Sequence, residues 1–293
     1  RDVERSRGLG DVYKRQALLF AGFTSSCSDF LDRYPLDELS DSSFWKTEND
    51  AMMAVTDIYG CLPTWDQDED INSDNAVHGI KWAAGNISKG IYDPMDQSWA
   101  GSYTPIRQCN LVLEKVKDIE MSDESRKKIE GQAYFFRAFV YFNLIRSFGD
   151  VPYIDKPLNL TDVEDITRTP REEVYAKVMA DFDKAIEYLP EEWDAANTPR
   201  VTKGAALAMK ARAALYYSNW QVAADASKAV IDLGKYELYD AGNTGKYQEL
   251  FWEKSDGCDE NILYVQFNYP DKTHYLICLL YTSPSPRDLS TSR

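Results

Sequence analysis

The residues of this chain best suited to chemistry lie between positions 63 and 101, where Trp65, Asp74, Asn75, His78, Trp82, Asn86, Tyr92 and Trp99 share one stretch. Flat aromatic rings stack on the apolar faces of pyranose sugars, while amides and carboxylates hydrogen-bond sugar hydroxyls. The mixture points to capture of a hydroxyl-rich ligand, with Trp65, Trp82 and Tyr92 as platforms and Asp74 and Asn75 as polar partners. The competing reading has the same rings anchoring the stretch onto neighbouring helices. Trp99, beside a helix start, is assigned to that anchoring role. A connection of this length is unusual in a helical protein, and long structured loops are more often functional than short ones.

Other chemistries fit poorly. Asp66, Asp68 and Asp70 open like a calcium loop, but Ile71 stands where the glycine belongs and Val77 where the bidentate glutamate belongs. They read as a solvated acidic turn, so no metal and no cofactor are expected. The chain has two histidines, His78 and His274, and no P-loop, HExxH or nucleophile elbow. No spacing singles out a carboxylate pair for glycoside hydrolysis. A binding protein is expected, not an enzyme. A net charge of -15 excludes a nucleic-acid partner, which would need a basic surface.

Five cysteines, Cys27, Cys61, Cys109, Cys258 and Cys278, form no CxxC and no metal-ligand spacing. Cys27 stands apart. A short apolar run from Ala17 through Ser26 precedes it and polar Ser28-Asp29 follows. The run is too short to span a bilayer and reads as the end of a secretory signal. It resembles a bacterial lipoprotein signal, in which the cysteine is acylated and becomes the new N-terminus. Acyl chains at roughly 0.8 kcal/mol per buried methylene would then hold the protein on a membrane. The alternative is a buried helix with an incidental cysteine. The other four read as buried thiols, with one disulfide among them left open.

Residues 1–16 and about 278–293 carry no sustained amphipathic period, and both ends are net basic in an acidic chain. They are read as non-native sequence flanking a gene fragment, against the alternative of native disordered tails. The expected organisation is therefore a signal remnant over 17–26 and one helical domain over 27–277.

The elements that must position the 63–101 stretch are helices. Thr47-Glu-Asn-Asp50 opens one, with Ala51, Val55, Ile58 and Leu62 on one face. Ser102 or Thr104 opens the next, through Ile106, Asn110, Leu113 and Val116. A third runs from about Ser125 to Phe148, with Ile129, Ala133, Phe136, Val140 and Leu144 in one stripe and Phe135, Phe139 and Phe142 beside it. So wide an apolar surface requires more than one neighbour, and Gly149 with Pro152 stops the helix. Thr169-Pro-Arg-Glu172 reads as a capping box with proline at the first helical position. Val174, Val178, Phe182, Ile186 and Leu189 follow, up to Pro190. Thr202 opens an alanine-rich helix, and a last one runs from about Trp220 to Leu233, ending at Gly234. Tyr236–Tyr239 and Ile262–Phe267 read as extended, with Tyr264–Phe267 the best strand candidate. Paired helices with short turns are similar to tetratricopeptide repeats, although a clean period of roughly 34 residues is not visible.

Four segments, in order, resemble the SusD/RagB family. They are Cys27–Asp32 with Pro35 and Phe44–Thr47; Gly131–Ala138 running on to Tyr141-Phe142 and Phe148–Pro152; Thr169–Glu172 with Tyr175, Asp181–Ile186 and Leu189-Pro190; and Arg200–Ala206 with Ala211–Tyr216. Gln132 departs from the pattern, in which a glutamate is expected. The resemblance implies a mainly α fold of tetratricopeptide-like pairs cradling a less regular ligand-binding half. It also implies an outer-membrane lipoprotein, acylated at Cys27, that binds oligosaccharides or, in some branches, peptides. Its partner would be a TonB-dependent transporter. In such proteins aromatic residues of this N-terminal loop region touch the glycan. A helical-repeat scaffold is the remaining alternative.

Overall fold

The structure is a computed structural model that describes residues 44–63, 99–159, 166–239, 247–251 and 257–267. The chain divides into two units, Arg1–Trp45 and Lys46–Arg293. Of the first, Phe44 and Trp45 are described, their rings meeting edge to face at 5.2 Å. The second unit carries the helices.

Six α-helices occur among the described residues: α1 Glu48–Ile58, α2 Trp99–Lys115, α3 Asp123–Phe148, α4 Arg171–Tyr188, α5 Lys203–Tyr216 and α6 Trp220–Asp232. Each packs on its neighbour in sequence from α2 to α6, and α1 lies on α2 and α3. The result is the expected array of tetratricopeptide-like hairpins. None of the described helices is long and apolar enough to cross a membrane.

Local chemistry explains most of the boundaries. At α1 the Asp50 N–H donates to Thr47 Oγ1 at 3.3 Å and the Asp50 carboxylate accepts the Thr47 N–H at 2.8 Å, a reciprocal cap. Ser122 and Thr202 cap α3 and α5 through their hydroxyls. α3 ends at Gly149, whose φ of 70° suits a residue without Cβ and whose N–H bonds the Ile145 carbonyl. Ile129, Ala133, Phe136, Val140 and Leu144 are all buried, with Phe135 and Phe142. Contacts with α1, α2, α4 and α5 account for so wide an apolar surface. Phe139 is half-buried. Along α5 and α6 the buried residues are mostly small, Gly204, Ala205, Ala206, Ala213 and Ala214 on α5 and Ala223 and Ala226 on α6.

Three sequence expectations need correction. α2 already includes Trp99–Gly101, ahead of the Ser102 or Thr104 start, and it continues through Pro105. Proline costs the helix one backbone bond, but Trp99 holds the extra turn in place by packing edge-on against Phe148 at 4.8 Å. At α4 the capping box does not form. Thr169 is drawn into a bridge with Val151, giving backbone bonds of 3.2 and 2.9 Å, and Pro170 occupies the cap position without a side-chain bond. The carboxylate of Asp150 instead accepts the Arg171 N–H at 2.9 Å, while Glu172 turns outward to Arg171. Finally, Tyr264–Phe267 joins no strand ladder; that bridge is the β-pairing among the described residues.

Polar groups also enter the core. Arg137 on α3 is bound to Asp181 on α4 and, through Nη1 at 2.9 Å, to Asn110 Oδ1 on α2. Asn110 Nδ2 donates to the Ile154 carbonyl at 2.9 Å, and Tyr141 Oη accepts the Ile154 N–H at 2.7 Å. One network therefore ties three helices to the segment after α3. Burial disfavours the Arg137 charge, but the Asp181 carboxylate more than compensates and raises its pKa. Burial pushes the Asp181 carboxyl upward against the pull of the guanidinium.

Candidate functional site

α1 ends in a tight turn over Tyr59–Cys61, from which Leu62-Pro63 leads into the 64–98 stretch; the chain re-enters at Trp99. Trp65, Asp74, Asn75, Trp82 and Tyr92 lie outside the described residues, as do Asp66, Asp68, Asp70 and Cys27. The seat from which that stretch springs is described.

Between its two roots lies a groove of about 500 Å³, within the usual range for small-ligand sites. Gly60 and Cys61 form one side, Gly101, Ser102 and Thr104 the other, and α3 supplies Phe139 and Asn143. The Gln108 amide donates to the Asp57 carboxylate across the groove. A carboxylate, two amides, hydroxyls and one ring are the groups an uncharged polyol uses, acceptors and donors for hydroxyls beside an apolar face. Burial pushes the Cys61 thiol up to about 12, so it stays protonated at neutral pH and is no nucleophile. Among the described residues no group of three or more His, Cys, Asp or Glu is placed to hold a metal. Cys61, Cys109 and Cys258 are free thiols; Cys109 is buried as expected, whereas Cys61 and Cys258 are only half-buried.

Both roots are fixed by long-range contacts. Gln132, fully buried, accepts through Oε1 from Tyr59 Oη at 2.8 Å and from Arg200 Nη1 at 3.2 Å. Arg200 Nη2 donates to Thr56 Oγ1 at 3.0 Å, and Tyr59 Oη accepts the Val201 N–H at 2.9 Å. Burial pushes the Tyr59 phenol up to about 12, with the Val201 N–H and Arg200 pulling the other way. At the second root, the Arg168 guanidinium lies 5.4 Å from the centre of the Trp99 ring, and Tyr103 Oη donates to the Pro152 carbonyl at 3.0 Å. Trp99 is thus an anchor, as the sequence suggested. The groove residues Asp57, Gln108 and Asn143, and the clamp of Tyr59 and Arg200, escaped the sequence reading. The one available signal was Gln132, a neutral side chain where a glutamate was expected.

A helical array of this kind is also found in known proteins. Residues 30–215 match the family model described as SusD-like, "Starch-binding associating with outer membrane". The chain belongs to the SusD-like family. SusD-like protein P2 of Formosa agariphila is 29% identical over 70% of this chain and 43% of that protein. The crystal structure of a SusD-like protein from Bacteroides fragilis superposes with a TM-score of 0.73 at 30% identity, over 82% of this chain and 48% of that one. A structure described as a laminarin-binding SusD-like protein shares the fold, with a TM-score of 0.68 at 23% identity over 76% of this chain and 52% of that one. The chain thus spans about half the length of the SusD-like proteins it matches. Family membership accounts for the helical pairs and gives an association with the outer membrane.

Proposed function

We propose that this chain captures oligosaccharides at the bacterial surface and presents them to a TonB-dependent transporter, catalysing nothing itself and held to the outer membrane by acylation of Cys27. The observation that carries the reading is the match of residues 30–215 to a family described as starch-binding and associated with the outer membrane. The groove at the roots of the 64–98 stretch supports it, because its carboxylate, amides and hydroxyls suit sugar hydroxyls. The loop residues Trp65, Trp82 and Tyr92 supply stacking platforms, with Asp74 and Asn75 as polar partners. The transporter partner and the lipid anchor rest on the family resemblance and on the signal-like run before Cys27.

The test is affinity electrophoresis of the chain through gels containing starch, laminarin, xylan or mannan, with Trp82→Ala beside it. Loss of a stacked ring is expected to weaken binding by about 1–3 kcal/mol. A folded W82A variant with unchanged retardation removes Trp82 from the site. A chain retarded by none of the polysaccharides, yet binding peptides, moves the function to peptide uptake.

A further inference from the structure

A second pocket, of about 250 Å³, shares no lining residue with the groove between the loop roots. It is walled by the segment joining α4 to α5 and by the chain after α6. Three half-buried rings, Trp193, Tyr236 and Tyr264, face it. Trp193 Nε1 donates to the Val201 carbonyl at 2.8 Å, and Tyr236 Oη lies 3.0 Å from Thr202 Oγ1. Each tyrosine is seated against a glycine. A Cβ on Gly204 would overlap the Tyr236 hydroxyl, and one on Gly257, at a φ of 71°, would come within 3.1 Å of the Tyr264 hydroxyl. The rings are therefore positioned by the fold before any ligand arrives, which lowers the ordering cost of binding.

The polar lining selects the ligand's charge. Lys235 pairs with Glu192 at 3.0 Å, and Lys203 lies 4.0 Å from Glu191. An anion would meet three carboxylates, and a cation would meet Lys235. An uncharged polyol meets donors and acceptors of both kinds, with the half-buried Asn261 amide among them. Rigid rings within, a polar rim outside and room for about one sugar ring are the features of a monosaccharide subsite.

We propose that this pocket is a second subsite, binding a single neutral pyranose residue of a polysaccharide whose main contact is the loop and its groove. The inference rests on the glycan-capture reading. Two contacts on one chain strengthen retention of long polymers more than of short oligosaccharides, because the second engagement is intramolecular.

The experiment compares the wild-type chain with W82A, W193A and the double variant D259A/N261A. Retardation is measured in gels containing starch, laminarin, xylan, mannan or levan, and affinity by calorimetry with the matching hexasaccharide; unfolding curves confirm folding. Trp193 also supports the fold through its bond to Val201, so the rim variant D259A/N261A carries the test if W193A does not fold. The expected result is at least fivefold weaker retardation for the pocket variants, with hexasaccharide affinity changed less than twofold. Folded pocket variants retarded like wild type overturn the subsite and leave the loop reading standing. Retardation lost in the pocket variants but untouched in W82A keeps the pocket and overturns the loop. A wild-type chain retarded by none of the polymers overturns both.

Discussion

Arg137 on α3 and Asp181 on α4 meet through two parallel hydrogen bonds of 2.7 Å, Nε to Oδ2 and Nη2 to Oδ1, with each side chain less than a tenth exposed. Planar guanidinium and carboxylate match in this geometry, which fixes the rotation of α3 against α4 as well as their distance. The remaining Nη1 is taken by Asn110, so the pair also sets the position of α2.

Removing one partner leaves a buried charge unpaired. Asp181→Ala is expected to destabilise the chain by about 3–5 kcal/mol, and replacing both partners by apolar residues should cost much less. Denaturant unfolding of D181A, R137M and the double variant R137M/D181L measures this. A D181A loss below about 1 kcal/mol would show that the site opens to water.

Gln132 satisfies Tyr59 and Arg200 with one oxygen while its Nε2 donates to the Lys128 carbonyl at 3.0 Å. Gln132→Leu strands those groups, and a loss of about 1–3 kcal/mol is expected. Thermal unfolding reads it directly. Wild-type stability in Q132L would mean that water replaces the amide.

Asp150, not Thr169, satisfies the first turn of α4. Asp150→Ala should therefore cost about 1 kcal/mol, and Thr169→Val, which keeps the bridge to Val151, should cost less. Chemical denaturation of both variants decides; the reverse order would restore the sequence-based capping box.

Burial raises the thiol of Cys61 to about 12 and that of Cys109 well above its ordinary value. Because the thiolate is the nucleophile, a raised pKa means slow alkylation. Iodoacetamide at pH 8, followed by peptide mass mapping, should leave both unmodified in the folded chain and label both in denaturant. Rapid labelling of Cys61 without denaturant would contradict its raised pKa.

Cys27 is proposed as the lipid anchor. In a host that processes lipoproteins, Cys27→Ser should move the protein from the membrane fraction to the soluble one. Retention of the serine variant would assign the anchor to another element.

Much of the fold was legible because helix starts and stops are local events. Thr47, Thr202, Gly149 and Gly234 act on backbone groups within four residues of themselves, and the stripe from Ile129 to Leu144 needs only the helical period to be recognised. The candidate site was legible only in part. The aromatic and amide composition of residues 63–101 pointed to sugar chemistry, and Trp99 to an anchor, but Asp57, Gln108 and Asn143 look like ordinary solvated positions until α1, α2 and α3 are packed together.

The sequence by itself determined most of the helices and the family, since caps, periodicity and motif order are properties of short windows. Tertiary structure decided the rest. It drew Thr169 out of its capping box into a bridge with Val151, added a turn before Pro105 by packing Trp99 on Phe148, and joined Tyr59, Gln132 and Arg200 across the chain. Those outcomes depend on how helices register against one another. That register is set by the summed packing of distant side chains, which no local window contains.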